Sequence, residues 1–270
     1  MRKICVVTNS RADYSRLKTL LGSLKSRDDV KVLLFVIGPH LLTSYGMTID
    51  EIERDGFDVA YKMHTEVDGR VPVTMAKSTG AALIELANAF YNFKPDIVVV
   101  HGDRYETLAA TTAASLMNIT VAHIQGGEVS GTIDEHIRHA VTKLSHLHFP
   151  STKVAGKRIV AMGEVPEKVF VTGCPASDIL ISTPPITFDK LKKKILALVT
   201  KKEWKKTFSK DFLLFVYHPV TTEYDTLEKQ FAKTLAALKK FPQCIMVLWP
   251  NIDAGSERLV QALKKLERAS

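Results

Sequence analysis

Two short runs of β-branched and apolar residues, 97–100 and 120–124, each stop at polar residues and lead into a stretch with helical character. The first ends in His101-Gly102-Asp103 and precedes the Ala- and Leu-rich segment 106–117. The second ends in Gln125-Gly126-Gly127-Glu128, passes Ser130, Gly131 and Thr132, and enters a helix near Asp134. Apolar runs this short do not make independent helices; they are typical of parallel strands buried on both faces. A βαβα unit is therefore predicted over 94–149. Ligands of open α/β sheets bind beyond the carboxyl ends of the strands, so Asp103, Gln125, Glu128, Asp134 and Glu135 are expected to share one crevice.

The rest of the chain extends this pattern. A first strand is predicted at 4–8, followed by the turn Asn9-Ser10-Arg11-Ala12-Asp13 and a helix over 14–25. Asn9, Ser10 and Asp13 are all competent helix N-caps. The turn lacks G-x-G-x-x-G, which argues against a dinucleotide cofactor. Arg11, at its mouth, is placed either to grip a phosphate or to serve as an ordinary surface arginine near a helix start. Further strands are expected at 31–37, 58–62, 146–149 and 169–171, short helical pieces at 41–45 and 48–55, and longer helices at 75–91 and 153–162. Thr172-Gly173-Cys174-Pro175 reads as a hinge, dividing the chain into domains 1–172 and 173–270. The second contains a lysine-rich helix after Pro184-Pro185, strands at 212–217 and 245–249, and helices at 226–240 and 256–268. Two strands and their helices do not cover both faces of a parallel sheet, so Val247 and Trp249 are expected to be exposed.

Composition narrows the partners. The chain has 270 residues, 46% of them hydrophobic, and a formal charge of +8 that is concentrated in the lysine-rich stretch 190–206. No regular pattern of stacking aromatics accompanies it, so a small anionic ligand such as a nucleotide diphosphate is expected in preference to nucleic acid. No apolar run approaches the roughly 20 residues of a membrane span. Three distant cysteines, Cys5, Cys174 and Cys244, suggest reduced thiols and a cytoplasmic location. His136 and His139 share a helix face, but no third ligand stands at a recognised spacing, so no metal is assigned. Asp103 and Asp134 each have a plain alternative as helix caps. Gly126-Gly127 reads as room for close approach of a ligand, or as an ordinary turn.

Six segments taken together, TNSRADYS (8–15), KPDIVVVHGDR (94–104), HIQGGEVSGTIDEHIRHAVTKLSHLHF (123–149), GCP (173–175), HPVTTE (218–223) and PNIDAGS (250–256), resemble the UDP-N-acetylglucosamine 2-epimerase family in the family's own order. The resemblance is closest to the hydrolysing branch used in sialic and legionaminic acid synthesis. It implies an α/β fold of two Rossmann-like domains of the GT-B type, the second incomplete here, with no redox cofactor, a UDP-sugar substrate and a homo-oligomeric full-length form.

Similar enzymes eliminate UDP from UDP-GlcNAc to give 2-acetamidoglucal, then add water to release N-acetylmannosamine. The sugar C2 proton is not adjacent to a carbonyl and becomes labile as the anomeric C–O bond breaks. Carboxylates suit the oxocarbenium-like transition state and the proton transfers, and donors or cations must hold the departing diphosphate. By resemblance, Asp103 and Asp134 are catalytic acids, His218 assists at the diphosphate, Arg11 lies on the phosphate side, and Asn251 belongs to the nucleotide-binding turn. Gly126, Gly127, Glu135, Arg138 and Asp253 are expected on the substrate as well.

Two departures stand out. Many members carry a catalytic glutamate where this chain has Gln125, and an amide takes no proton at neutral pH; Glu128 is the candidate substitute. The family's later GNSSSG-like turn, with a glutamate and an arginine for UDP, is not in this sequence. The chain is therefore expected to be either a C-terminally truncated fragment or a member that has lost half its nucleotide site, poorly soluble and inactive by itself. A hydrolysing 2-epimerase of UDP-GlcNAc or of UDP-N,N'-diacetylbacillosamine, a GT-B glycosyltransferase and an inactive sugar-nucleotide-binding module remain as function classes.

Overall fold

A computed structural model of the protein describes residues 1–198 and 208–269. They fall into two compact units, Met1–Ser182 and Thr183–Ser270.

Unit 1 is built on six strands: β1 (Arg2–Thr8), β2 (Val30–Ile37), β3 (Val59–Met63), β4 (Ile97–His101), β5 (Thr120–Ile124) and β6 (Leu147–Phe149). All pair in parallel, in the order β3-β2-β1-β4-β5-β6. Its helices are α1 (Arg11–Lys25), α2 (Ile49–Arg54), α3 (Pro72–Phe93), α4 (Tyr105–Leu116), α5 (Ile133–Leu144), α6 (Lys153–Ala161) and α7 (Pro175–Ser182). This is the doubly wound order, whose direction reverses between β1 and β4.

Side-chain alternation along the strands feeds two separate cores. Cys5, Val7, Phe35, Val98, Val100 and Val121 face α3, α4 and α5, where Phe35 stacks on Phe90 at 6.0 Å. Val6, Leu34, Val36, Val99 and Ala122 face Tyr14, Leu17 and Leu21 of α1 and Ile49 and Ile52 of α2. Of the three candidate caps, Ser10 caps α1, its side chain accepting from the Asp13 N–H. Pro72 opens α3 in its first turn, and Lys94, left-handed at φ 50°, closes it.

Two expectations change at the end of this unit. The run 169–171 is not a strand: Val169 makes a single parallel bridge to His148, and Phe170 stacks on Phe149 at 5.6 Å. It lies beside the three-residue β6, too short to propagate a ladder. The division of the chain falls after Ser182 rather than at 172/173, because α7 packs on α1 and stays with unit 1. The Pro184-Pro185 pair, unable to donate backbone hydrogen bonds, follows the break directly.

Unit 2 contains α8 (Phe188–Leu198), β7 (Phe212–Val216), α9 (Leu227–Leu238), β8 (Cys244–Leu248) and α10 (Ser256–Ala269). The lysine-rich stretch continues past α8 into 199–207, outside the described residues. β7 and β8 pair in parallel, from Phe212 opposite Cys244 to Val216 opposite Leu248. One face, with Phe215 and Val247, packs on Leu227 and Phe231 of α9 and Leu259 and Leu263 of α10. Val247 is therefore half-buried, contrary to expectation, while Trp249 is exposed as expected. On the opposite face Leu214, Val216 and Leu248 are exposed.

Candidate active site

The carboxyl ends of β1, β4 and β5 meet at the reversal point of the unit 1 sheet, and three turns converge there. After β4, Asp103 accepts a very short ion-pair hydrogen bond from Nη2 of Arg138, a residue of α5. The Arg138 side chain is only 7% exposed, that of Asp103 29%. A buried guanidinium is tolerated when its donors are filled. Here Nη1 also donates to the Glu128 carbonyl at 2.8 Å, and both terminal nitrogens lie 3.4 Å from Ser130 Oγ. Arg138 was expected on the substrate; the structure commits it to holding Asp103 and the loop after β5.

That loop begins with a strained residue. Gln125 is non-glycine at φ +61° and is buried. Its Oε1 lies 2.5 Å from His101 Nε2 and 3.5 Å from Arg16 Nη1. Its Nε2 lies 3.1 Å from Ser151 Oγ and 3.4 Å from Cys174 Sγ. The other ring nitrogen of His101 meets Asp13 Oδ1 at 2.7 Å, while Asp13 Oδ2 accepts from the Asn9 N–H at 3.0 Å. The result is a buried chain, Asp13–His101–Gln125, across the reversal point.

The two glycines that follow are needed by the protein's own packing. A Cβ on Gly126 stands 2.9 Å from His123 Nδ1 and from Thr142 Oγ1. One on Gly127, at φ +78°, stands 2.5 Å from the Ala155 carbonyl oxygen and 2.7 Å from Ile159 Cγ1. Close approach is indeed what these glycines permit, but the approaching groups belong to the chain: His123 and α5 at Gly126, α6 at Gly127. Arg158 of α6 also donates to the Gly127 carbonyl. His123 is fully buried between Gly102 O and Thr142 Oγ1, and burial pulls it down to about 3.

The remaining expected residues divide. Asp134 is exposed in the first turn of α5; Thr132 occupies the N-cap position, so Asp134 is not the cap. Glu135 Oε2 accepts from the backbone N–H groups of Ser130 and Gly131, each at 2.6 Å, and those donors hold its carboxyl below the usual range. It pins the loop from the first turn of α5. Glu128 is half-buried, its carbonyl on Arg138. Arg11 is exposed at the first residue of α1.

In unit 2, His218 follows β7 and Asn251 follows β8. Parallel pairing brings the two turns together, with the Asn251 N–H 3.4 Å from His218 Nδ1. Asp253 is half-buried, its carbonyl accepting from Ser256 N–H at the start of α10.

A second carboxyl pair borders the site. Glu106 is fully buried and held by both Nε and Nη2 of Arg104 at 3.0 Å. Glu66 accepts from Tyr105 Oη at 3.0 Å, and its other oxygen is buried without a hydrogen-bond partner. Burial and the neighbouring Glu106 charge raise Glu66 to about 7. Among the described residues no group of three or more His, Cys, Asp or Glu side chains is arranged to hold a metal ion, and no helix is long and apolar enough to cross a membrane.

Asp13, Arg16, His101, Ser151 and Cys174 were not singled out as site residues from sequence. One signal was available for His101: it ends an apolar strand immediately before Gly102-Asp103. Asp13 reads equally well as a cap, and nothing in sequence brings it to a histidine 88 positions away.

A doubly wound unit with an acid–guanidinium centre at its reversal point, followed by a second βα unit with a polar turn at each strand end, defines an α/β protein of the GT-B class. Solved structures share the architecture. A UDP-GlcNAc 2-epimerase from Methanocaldococcus jannaschii, in complex with UDP-GlcNAc and UDP, superposes with a TM-score of 0.77 at 18% identity, covering 98% of this chain and 70% of that one. The Neisseria meningitidis UDP-GlcNAc 2-epimerase bound to UDP-GlcNAc gives 0.71 at 19% identity, covering 97% and 69%.

The sequence model of the family described as UDP-N-acetylglucosamine 2-epimerase matches residues 22–270. The UDP-N,N'-diacetylbacillosamine 2-epimerase (hydrolyzing) of Legionella pneumophila is 35% identical over 98% of this chain and 68% of its own length. The UDP-N-acetylglucosamine 2-epimerase of Neisseria meningitidis serogroup B is 32% identical over 99% and 67%. The chain belongs to the UDP-N-acetylglucosamine 2-epimerase family. It spans about two thirds of the length of these curated relatives.

Proposed function

We propose that this protein is a hydrolysing 2-epimerase of a UDP-linked amino sugar, converting UDP-GlcNAc and water to N-acetylmannosamine and UDP. The observation that carries the reading is the Asp103–Arg138 centre at the sheet reversal point of a chain in this family. In the first step a carboxylate takes the C2 proton as the C1–O bond breaks, and UDP departs with the bonding pair. In the second, water adds across C1=C2 of the glucal, the hydroxyl to C1 and a proton to C2 on the opposite face. Asp103, partly open to solvent and oriented by Arg138, and Asp134, exposed at the start of α5, are the proton-transfer candidates. Glu128 stands third. Gln125 has no proton-accepting carboxylate and serves the centre otherwise. Arg11 and Arg16 of unit 1 supply exposed cations for a diphosphate. Within unit 2, His218, Asn251 and Asp253 are the nucleotide-side candidates.

UDP-N,N'-diacetylbacillosamine is the second substrate reading, favoured by the 35% identity to an enzyme of that name. Incubating the protein with each nucleotide sugar separately, while following UDP and the free amino sugar, tests both. Free N-acetylmannosamine or its diacetamido counterpart in step with UDP supports the proposal. UDP appearing only with a glycosylated acceptor makes the protein a transferase, and binding without turnover makes it a binding module.

We also propose a homo-oligomer in the cytoplasm. Val73, Ile84 and Tyr91 of α3 and Leu116 at the end of α4 are exposed, apolar side chains that a second copy of the chain would cover. All three cysteines are free thiols. Light scattering on the purified protein reads the subunit number directly.

A further inference from the structure

The side chain of Gln125 is held at both ends. One end faces His101 and Arg16, the other Ser151 and Cys174. These partners come from the last residue of β4, from α1, from the loop after β6 and from the residue just before α7. An amide suits such a place because one end accepts and the other donates. Behind it, Asp13 is 5% exposed, His101 is 5% exposed, and the Asp13 carboxylate can only accept. His101 Nδ1 must therefore donate to Asp13 Oδ1, and Nε2 must donate in turn to Gln125 Oε1, since an amide oxygen also only accepts. Asp13, His101 and Gln125 are buried, Ser151 and Cys174 are half-buried, and Arg16 is exposed. The array is nonetheless two residues from Asp103 along the chain on one side, and opens the 125–128 turn on the other.

We propose that Asp13 and His101 are positioning residues of this centre. Through Gln125 they fix the place of the turn after β5 relative to Asp103, and Gln125 is the fastener of that array, not a proton acceptor. The left-handed backbone of Gln125 fits this role. A non-glycine residue persists at positive φ only where its surroundings over-determine it, and four side-chain partners do so here. The inference rests on the proposed 2-epimerase reaction for its kinetic arm alone.

Asp13→Asn is the sharpest test. Asparagine keeps the shape and still accepts from the Asn9 N–H, but turns its NH2 toward His101 Nδ1. That contact requires Nδ1 to give up its proton and leaves the ring with Nε2–H alone, the same kind of tautomer error that disables a catalytic triad when its aspartate becomes an amide. Long-range proton–nitrogen correlation spectra read the tautomer, with the His101 signals assigned by their loss in His101→Asn. The unsubstituted protein should show a proton on Nδ1 as well as on Nε2, and Asp13→Asn should show Nε2–H alone. UDP release should fall tenfold or more in kcat, while KM stays within about twofold and the melting shift produced by UDP is retained.

An Nδ1 without a proton in the unsubstituted protein overturns the proposal, and that measurement stands even if Asp13→Asn does not fold. Unchanged kcat in a folded variant overturns it too, as does a kcat loss matched by loss of UDP binding. If the unsubstituted protein turns over neither nucleotide sugar, the reaction assignment fails separately, and the tautomer pair alone then decides the array.

Discussion

Unit 1 and unit 2 follow the same βα plan and differ in how firmly their strand ends are held. The six parallel strands of unit 1 have a core on each face, and the turns at the reversal point are tied by side chains: the buried Arg138 to Asp103, the buried His101 to Asp13 and Gln125, and the half-buried Glu135 to the 130–131 backbone. Among the described residues the two strands of unit 2 have one covered face, and the turns that carry His218 and Asn251 meet where the Asn251 N–H lies 3.4 Å from His218 Nδ1. Preorganised groups in a water-poor setting are what a transition state rewards. In the proposed reaction the bond-breaking chemistry therefore falls to unit 1.

Asp103→Asn challenges that assignment most directly. Turnover should drop a hundredfold or more, the scale on which removing one group aimed at developing charge acts. Because Arg138 then lacks its anion, denaturant unfolding of unit 1 should also show a loss of about 1–3 kcal/mol. Full turnover by this variant removes Asp103 from the mechanism and the chemistry from unit 1.

Gly127→Ala tests the packing of the same region. The substituted residue must hold φ +78° and meet a backbone oxygen 2.5 Å away, at roughly 1–2 kcal/mol for the left-handed backbone and about 1–3 for the overpacking. Gly131→Ala is the control, since φ is +71° with nothing within 4 Å; only the backbone cost is expected there. Equal losses in thermal melts of the two variants contradict the α6 clamp.

Glu66→Gln separates the units by pH. The folded carboxyl titrates at about 7 against an ordinary 4.5, so the folded form holds a proton that the unfolded chain has released between those values. Its contribution is present below pH 4.5 and lost as pH rises through 7. Glutamine mimics the protonated form, so unit 1 should be stabilised by about 1–3 kcal/mol at pH 8, with the gain shrinking toward zero at pH 4. A gain that does not vary with pH has another cause.

The smallest effect is expected at the open face of β7. Leu214 is 57% exposed, and Leu214→Lys should change stability by less than about 0.5 kcal/mol while reducing self-association in light scattering. A larger loss means that this face is covered in solution, and then the contrast between the units is smaller than described.

Much of unit 1 was legible in the sequence, because strands buried on both faces are written as unbroken apolar runs: β5 occurs at 120–124 as expected, and β2 and β4 differ from expectation by one residue each. The run 169–171 has the same composition but only a three-residue neighbour, so composition alone misassigned it. The site was half legible. Polar residues at strand ends were visible, but the sign of their partners was not. Arg138 and Glu135 looked like ligand contacts, and both meet partners in the chain itself, Asp103 for the buried arginine and the 130–131 backbone for the half-buried glutamate. Asp13 and His101 were out of reach, because a hydrogen bond between residues 88 positions apart leaves no local trace.

The strand order has a consequence for the growing chain. β1 is synthesised first, yet it ends in the middle of the sheet. Its β2 neighbour follows at once, with Arg2 opposite Val30, while Ile4 waits for Ile97 on the other side. A nascent chain that has reached α3 thus holds three paired strands and a bare hydrophobic edge along β1, the kind of template that attracts a stray strand. Closing that edge requires loops of high sequence separation, which slow folding. The bond from Asp13 to His101 crosses this same seam, so it forms only once the later half of the sheet has docked on the earlier half. The residues that order the candidate active site are thereby also a latch, set at the moment when the exposed edge disappears.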